Sequence, residues 1–291
     1  MNIRELFFND NNQMKTLWRI LIFIILLSLV ISPLVLINNS YLQFVGAVFI
    51  LIFGLYINSK YLDKRDFLEY GLVFKIETFS NLSIGILIGF FSVILMLLIG
   101  KITGILIVSN PVSTLQLSLI SLFAFKMFLV SILEETFFRG YLYTNLYDGF
   151  KSKKISQKKI FLISLLISSV IFGLAHFSNN HASIQSIVLL TINGMVWCIP
   201  FAITKNLGLS IGLHFAWNFT QTVLGFTMSG NKAVNSLYQI ENQKSHLLSG
   251  GEYGPEAGFL GLIGFITMLL LSYAYLKIKQ KKTLHNTVYK T

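Results

Sequence analysis

The sequence predicts an all-α polytopic membrane protein with about eight transmembrane helices. Three observations lead to this prediction. The chain of 291 residues is 54% hydrophobic and only 12% charged, which is too apolar for a soluble domain of this size. Apolar stretches of roughly 17 to 25 residues, the length that spans a bilayer core, recur along the whole chain. The basic residues are distributed in the way that orients membrane proteins.

Eight apolar stretches are expected to form the crossing helices. They lie at 16–37, 41–58, 82–100, 115–146, 160–178, 183–204, 207–228 and 256–276. The fourth is longer than one crossing requires, so that helix is expected to be tilted, broken or partly interfacial. No small-residue cleavage site closes the first stretch, which we interpret as an anchor and not as a signal peptide. We expect one membrane domain over 1–291, with cytoplasmic tails at 1–15 and 278–291.

Positive charge predicts the orientation of the chain. If the N-terminus is cytoplasmic, only Lys101, Lys232 and Lys244 of the 23 Lys and Arg residues fall in outer segments. Lys126 falls inside the fourth span, where it has no assigned role, and the others lie in cytoplasmic segments. This asymmetry predicts that both termini are cytoplasmic. The net charge of +11 is interpreted as an orientation signal near anionic lipid head groups, and not as a nucleic-acid surface.

Three shorter segments carry structural signals. Residues 59–80 mix charged and large apolar side chains, which predicts a short helix along the inner interface. The polar segment from about 229 to 255 is expected to be a turn that feeds the last span. Gly85 and Gly89 are four residues apart in the third span, a spacing that favours close helix packing. The single cysteine, Cys198, has no partner for a disulfide.

Charged residues inside the fourth span are the strongest functional signal. Glu134, Glu135 and Arg139 interrupt an otherwise apolar run, and a charge at the centre of a bilayer costs about 3 kcal/mol on insertion scales. Residues four apart share a helix face, so Glu135 is expected to pair with Arg139. Glu134 points about 100° away and is free to face a cavity. We therefore expect Glu134 to be the working general base or acid.

Two other spans carry polar residues that suit the same site. His176 ends the fifth span, and His214 and Asn218 lie four apart in the seventh. Two donors on one helix face can stabilise an oxyanion, and a histidine near Glu134 can help to activate a water, which indicates peptide or amide hydrolysis without a covalent intermediate. Taken singly, each of these residues could be an interhelical hydrogen-bond partner. Straight helices would hold His176 and His214 at different depths, so either the fifth span is tilted or kinked or its boundaries differ.

Taken together and in order, these motifs resemble those of a known family. The motifs are Glu134-Glu135-xxx-Arg139, Phe172-xxx-His176 and His214-xxx-Asn218. Over about residues 115–220 they resemble the signature motifs of the CPBP intramembrane proteases, the CAAX prenyl endopeptidase and bacteriocin-processing group that is also called the Abi family. The resemblance implies an eight-helix fold with a cavity that opens to the cytosol and the membrane. It implies water activation by Glu134 and His176, oxyanion stabilisation by His214 and Asn218, and a supporting role for Glu135 and Arg139.

The resemblance favours a water activated without a metal, and hence no cofactor. Zinc would be held by Glu134, His176 and His214, since three protein ligands are usual for catalytic zinc. However, no HExxH motif presents two histidines from one helix. The expected partners are the lipid bilayer and a membrane-associated or lipid-modified peptide or protein, cut on the cytoplasmic side; the oligomeric state stays open. Residue usage that is rich in Lys, Ile and Asn and poor in Arg is typical of AT-rich bacterial genomes, so a bacterial plasma membrane is expected.

Two other functions fit the same residues. A non-catalytic bacteriocin self-immunity or scaffold protein would bind its partner through the same fold and would not need the full set of site residues. A proton-coupled transporter would also place Glu and His inside the membrane. The inverted repeats and paired broken helices that are typical of transporters are not visible in the sequence.

Overall fold

The protein is mostly helical (75%). The computed structural model describes residues 3–9, 13–110, 116–151, 154–233, 235–242 and 246–288. The α-helices are α1 (Ile3–Phe7), α2 (Thr16–Ile31), α3 (Ser40–Tyr61), α4 (Ile76–Ile102), α5 (Leu117–Glu135), α6 (Thr144–Gly149), α7 (Gln157–Ala175), α8 (Ile184–Thr204), α9 (Gly208–Leu224), α10 (His246–Ser249) and α11 (Phe259–Val288). Strands β1 (Leu106–Ser109) and β2 (Gln239–Asn242) pair antiparallel. Lys153, Lys244 and Lys290 of the predicted charge pattern lie outside the described residues.

Seven helices in the described part of the chain are long and apolar enough to cross a membrane. They cover Thr16–Leu36, Ser40–Tyr61, Ile76–Ile102, Leu117–Gly149, Gln157–Ala175, Ile184–Thr204 and Phe259–Lys281. This agrees with an all-α polytopic membrane protein. The predicted span at 207–228 forms α9, which has 17 residues, most of them buried. The number of crossings and the side of each terminus stay predictions.

The interior helix α9 lies in near-backbone contact with α4. A Cβ atom added at Gly212 would lie 2.3 Å from the Leu82 carbonyl oxygen, and one at Gly85 would lie 2.5 Å from the Leu209 carbonyl oxygen. These positions need glycine, because backbone atoms of the neighbouring helix cannot move aside as side chains can. The close packing predicted from Gly85 is confirmed. In contrast, only 17% of the most apolar stretch of α2 and of α3 is buried in the protein, so these helices lie at the periphery.

The fourth predicted span changes its winding at the charged motif. It is continuous over 33 residues, Leu117–Gly149. Helix α5 ends at Glu135, a π-helical segment follows at Thr136–Tyr143, and α6 completes the rod. π-helical turns are rare and occur frequently at functional sites. The expected irregularity of this long span is thus a change of helix type immediately after Glu134 and Glu135.

The predicted interfacial helix over 59–80 is wrong. Helix α3 continues to Tyr61, a single 3-10 turn forms at Phe67–Tyr70, and α4 begins at Ile76. The side chains of Asp63 and Arg65 are directed inward, where partners from distant helices satisfy them, whereas Lys60, Lys64, Asp66 and Glu69 are exposed. Amphipathic composition alone does not reveal such long-range partners.

Asp63 is the centre of that inward-facing polar network. Its carboxylate accepts hydrogen bonds from the Tyr70 hydroxyl at 2.6 Å, from Asn145 Nδ2 at 2.7 Å and from Arg19 Nη1 at 3.2 Å. Burial and the negative charge of Asp63 raise the pKa of the Tyr70 phenol, so this hydroxyl remains a donor. A buried carboxylate is tolerated only when it is paired and hydrogen-bonded in this way. The network ties α2, the end of α3 and α6 together.

Candidate active site

Glu134 lies in the last turn of α5 and faces a cavity of about 510 Å³. Its side chain is 25% exposed, whereas that of Glu135 is 0% exposed. Within the described residues, Glu134 Oε2 is buried without a hydrogen-bond partner. The two adjacent carboxylates therefore have different surroundings, as expected for side chains that point about 100° apart on a helix.

Glu135 points into the protein and contacts two groups. Its Oε1 lies 3.1 Å from Arg139 Nη1 and 2.8 Å from His214 Nδ1. Arg139 is itself buried; it donates from Nη2 to the Gly194 carbonyl oxygen at 3.1 Å, and its guanidinium lies 4.4 Å from the centre of the Phe172 ring. The structure thus contains the ion pair that the spacing of Glu135 and Arg139 predicts.

His176 directly follows α7, and its imidazole turns back toward the cavity. Nδ1 lies 2.8 Å from the Phe172 carbonyl oxygen. Because a carbonyl oxygen only accepts hydrogen bonds, Nδ1 carries the proton and Nε2 of the neutral ring is an acceptor. Nε2 lies 4.0 Å from Glu134 Oε2. The ring contacts the preceding turn, as helical side chains commonly do, and the structure thus brings His176 close to Glu134.

His214 lies on α9 and is held on two sides. Its Nδ1 lies 2.8 Å from Glu135 Oε1, and the Trp197 ring stacks on the imidazole with ring centres 4.0 Å apart and planes 17° apart. Its Nε2 therefore faces the cavity, 3.9 Å from Glu134 Oε2. Asn218, one turn further along α9, lines the same cavity. The four residues predicted to perform the chemistry thus share one cavity.

Glu134 Oε2 and the Nε2 atoms of His176 and His214 border one small space. Separations of 4.0 and 3.9 Å are too long for direct hydrogen bonds, but they suit one bridging water, because two hydrogen bonds of about 2.8 Å to one oxygen span about 4 to 5 Å. Tetrahedral zinc with ligands at about 2.0–2.1 Å would draw these atoms to about 3.3 Å from one another. No group of three or more His, Cys, Asp or Glu side chains in the described ranges is arranged to hold a metal ion. The geometry fits a water better than zinc.

Two residues of this site were missed by the sequence analysis. Trp197, which stacks on His214, carries no signal, because an aromatic residue in an apolar span is commonplace. Glu256 is 1% exposed and lines the cavity. Its carboxylate accepts from Trp217 Nε1 at 2.9 Å and from the backbone N and Oγ of Ser229 at 3.0 and 2.7 Å. An acidic residue between Pro255 and an apolar span is a signal that could have identified it.

The loops that border the cavity indicate from which side of the membrane a substrate can enter it. Asn179, Met228 and Asn231 contribute to the lining, and the charge pattern assigns their segments to the outer side. If the N-terminus is cytoplasmic, these loops lie outside, which conflicts with the cytosolic opening that the resemblance implies. The side from which a substrate enters therefore depends on the orientation of the chain.

Comparison with known proteins gives one match. Residues 116–220 match the family model described as "Rce1-like: Type II CAAX prenyl endopeptidase Rce1-like". This segment runs from the start of α5 into α9 and includes all six predicted site residues. The match confirms the resemblance to the CPBP and CAAX protease family. Neither the curated proteins nor the solved structures gave a match.

Proposed function

We propose, starting from the match of residues 116–220 to the Rce1-like family model, which supports the CPBP intramembrane protease family, that this protein is a glutamate-dependent intramembrane endopeptidase. It would hydrolyse a peptide bond of a membrane-associated peptide or protein. The family match supports a CAAX-type protease and an integral membrane location. The observation that carries the finer proposal is the convergence of Glu134, His176 and His214 on one space, with Glu134 Oε2 at 4.0 and 3.9 Å from the two Nε2 atoms.

Water activation follows from the hydrogen-bond roles of two groups. The Glu134 carboxylate and His176 Nε2 are both acceptors, so one water between them would donate one hydrogen to each. Its lone pair is then directed into the cavity, toward the carbonyl carbon of a bound peptide. As the water oxygen bonds to that carbon, its proton passes to Glu134, and the carbonyl π electrons move to oxygen to form the tetrahedral oxyanion.

Oxyanion stabilisation requires a particular protonation state of His214. Both hydrogens of the water are engaged in this mechanism, which therefore places a proton on each nitrogen of His214: Nδ1 donates to Glu135 and Nε2 donates to the oxyanion, so the ring is an imidazolium. The adjacent Glu135 carboxylate stabilises this cation. The Asn218 amide, one turn away, supplies the second donor. Collapse of the intermediate breaks the C–N bond, and the proton on Glu134 passes to the leaving amine, which yields an amine and a carboxylic acid; the acid then releases its remaining proton to solvent.

The substitution E134Q tests the proposal. Glutamine keeps the size and hydrogen bonding of the side chain but cannot take up the proton, so hydrolysis is expected to fall about 100- to 10,000-fold while the protein still inserts and folds. Comparative peptidomics of membranes with the native protein or E134Q would identify the products. Glu252 offers a matched control, because its side chain is 63% exposed and it does not line the cavity. The proposal fails if E134Q cleaves the same peptides at the native rate.

The bacterial plasma membrane and the lipid-modified substrate remain parts of the proposal. The high content of Lys, Ile and Asn and the low content of Arg support a bacterial membrane. The cavity supports a lipid-modified substrate only in general terms, because aromatic side chains such as Phe44, Phe123 and Phe138 form part of its wall and suit an apolar substrate. Products found by peptidomics would identify the substrate directly.

A further inference from the structure

Lys126 is the one Lys or Arg residue that lines this cavity among the described residues, and the chemistry above gives it no part. Its Nζ lies 5.5 Å from the centre of the Phe44 ring, on the cavity wall. Within the described ranges this aromatic contact is the interaction that Lys126 makes. A cation–π contact positions an ammonium group but leaves its three hydrogens available to another partner.

The two acidic residues of the cavity do not neutralise this cation. Glu256 is occupied by Trp217 and Ser229, and Glu134 lies two helical turns from Lys126 on α5. A lone cation among apolar side chains at this depth is costly unless it reaches water or meets an anion. The position of Lys126 therefore favours a negatively charged group of whatever occupies the cavity.

The spacing between Lys126 and Glu134 determines how long a stretch of substrate must be to reach both residues. Eight residues of regular α-helix cover about 12 Å along the axis, and both side chains lean in the same direction. An extended peptide covers about 3.3–3.6 Å per residue. A substrate that extends from Glu134 to Lys126 would therefore place about three to four residues between the reacting bond and the ammonium group.

We propose that Lys126 is a specificity-determining residue that binds a carboxylate of the substrate, about three to four residues from the bond that is cut. This inference rests on the proposed function, because the length is measured from Glu134. The carboxylate is either the C-terminus of the substrate or the side chain of an Asp or Glu. A lysine that only extends to the membrane interface would have no effect on substrate choice.

Matched peptide libraries test this proposal. The probes are N-palmitoylated decapeptides in liposomes that contain the protein. The two peptides of the first pair differ at the C-terminus, which is either a free acid or a carboxamide. Those of the second pair differ at one internal position, which is either Asp or Asn. For the native protein, mass spectrometry should find cuts about three to four residues from the carboxylate. We expect the preferred acid form to be favoured by about 10- to 100-fold in kcat/KM, mainly through KM, as for a hydrogen bond to a charged group. The pair that shows the preference identifies the source of the carboxylate.

Variants of Lys126 separate binding from folding. K126M should bring the acid preference close to unity with little change in kcat, and K126R should retain it. K232M is the matched control, because Lys232 is exposed and does not line the cavity. K126E should prefer peptides with Lys in place of the acidic residue, a reversal that a misfolded protein cannot show.

The two proposals fail in different ways. If K126M keeps the native preference for the acid form, Lys126 does not determine specificity, and the endopeptidase proposal stands. If no peptide in either pair is cut in a manner that requires Glu134, the endopeptidase proposal fails and the inference about Lys126 fails with it.

Discussion

Glu134 and Glu135 are adjacent in sequence but have unlike surroundings. A rotation of about 100° directs one carboxylate into the cavity and the other toward Arg139 and His214. A buried carboxylate is tolerable only with such partners. In the proposed mechanism Glu134 exchanges a proton with the substrate, whereas Glu135 keeps its charge and stabilises the His214 imidazolium.

E135Q is expected to reduce activity and stability together. The neutral amide can still bond to His214 but does not favour the imidazolium, so kcat should fall about 10- to 100-fold, less than in E134Q. Arg139 would remain buried beside a neutral group, which costs about 3–5 kcal/mol in the free energy of unfolding. Thermal unfolding in detergent and kcat of the folded fraction measure the two effects. E69Q is the control, because Glu69 is 55% exposed. Native kcat in folded E135Q would contradict the imidazolium role of His214.

Metal removal is expected to leave activity unchanged. The Glu134, His176 and His214 donors are more widely spaced than zinc requires, and the proposed reaction needs only protein groups and water. Hydrolysis would be measured after exhaustive chelation, with metal content determined by mass spectrometry. Activity that is lost on chelation and restored only by added metal would contradict this mechanism.

At the scale of elements, two features position the site. The π-helical segment Thr136–Tyr143 begins where the acidic pair ends and carries Arg139. The glycine contact between α4 and α9 lets α9 lie in the interior, so His214 and Asn218 reach the cavity. A helix with a bulkier residue at this contact would be held away from α4.

G212A tests the helix contact. The added methyl group would meet the Leu82 carbonyl oxygen at 2.3 Å, so we expect a loss of about 1–3 kcal/mol or more in the free energy of unfolding. Hydrolysis should also fall, because α9 carries His214. G54A is the matched control: its nearest contact would be Phe23 at 3.6 Å, and alanine favours a helix over glycine by about 1 kcal/mol. Equal thermal stability of the two variants would show that the close approach is not required.

At the scale of the whole molecule, the charge pattern and the position of the cavity together determine which side of the membrane the cavity faces. The basic segments lie at one side of the predicted topology, and the loops that border the cavity belong to the other. A cytoplasmic N-terminus therefore implies a cavity bordered by loops on the outer side. The opposite orientation would restore cytosolic access but would reverse the positive-inside pattern.

Cysteine labelling distinguishes these orientations. The native Cys198 is buried, so it should give little background with a membrane-impermeant maleimide. We expect K232C to be labelled in intact cells and K151C only after permeabilisation, because the charge pattern assigns Lys232 to the outer side and Lys151 to the cytoplasmic side. Labelling in the reverse order would place the cavity loops in the cytoplasm and would refute the predicted topology.

The class of protein and the candidate residues follow from properties local to each segment. Hydropathy identifies the helical rods, and the i, i+4 spacing of Glu135 and Arg139 places them on one face. The contacts made by Trp197 and Glu256, and the inward turn of the charged segment around Asp63, depend on partners far away in sequence. The same is true of the contact between His214 and Glu135, because these residues lie on different helices. A pattern along one segment records which residues it carries, but only the packing of separate helices brings their polar groups within hydrogen-bond distance.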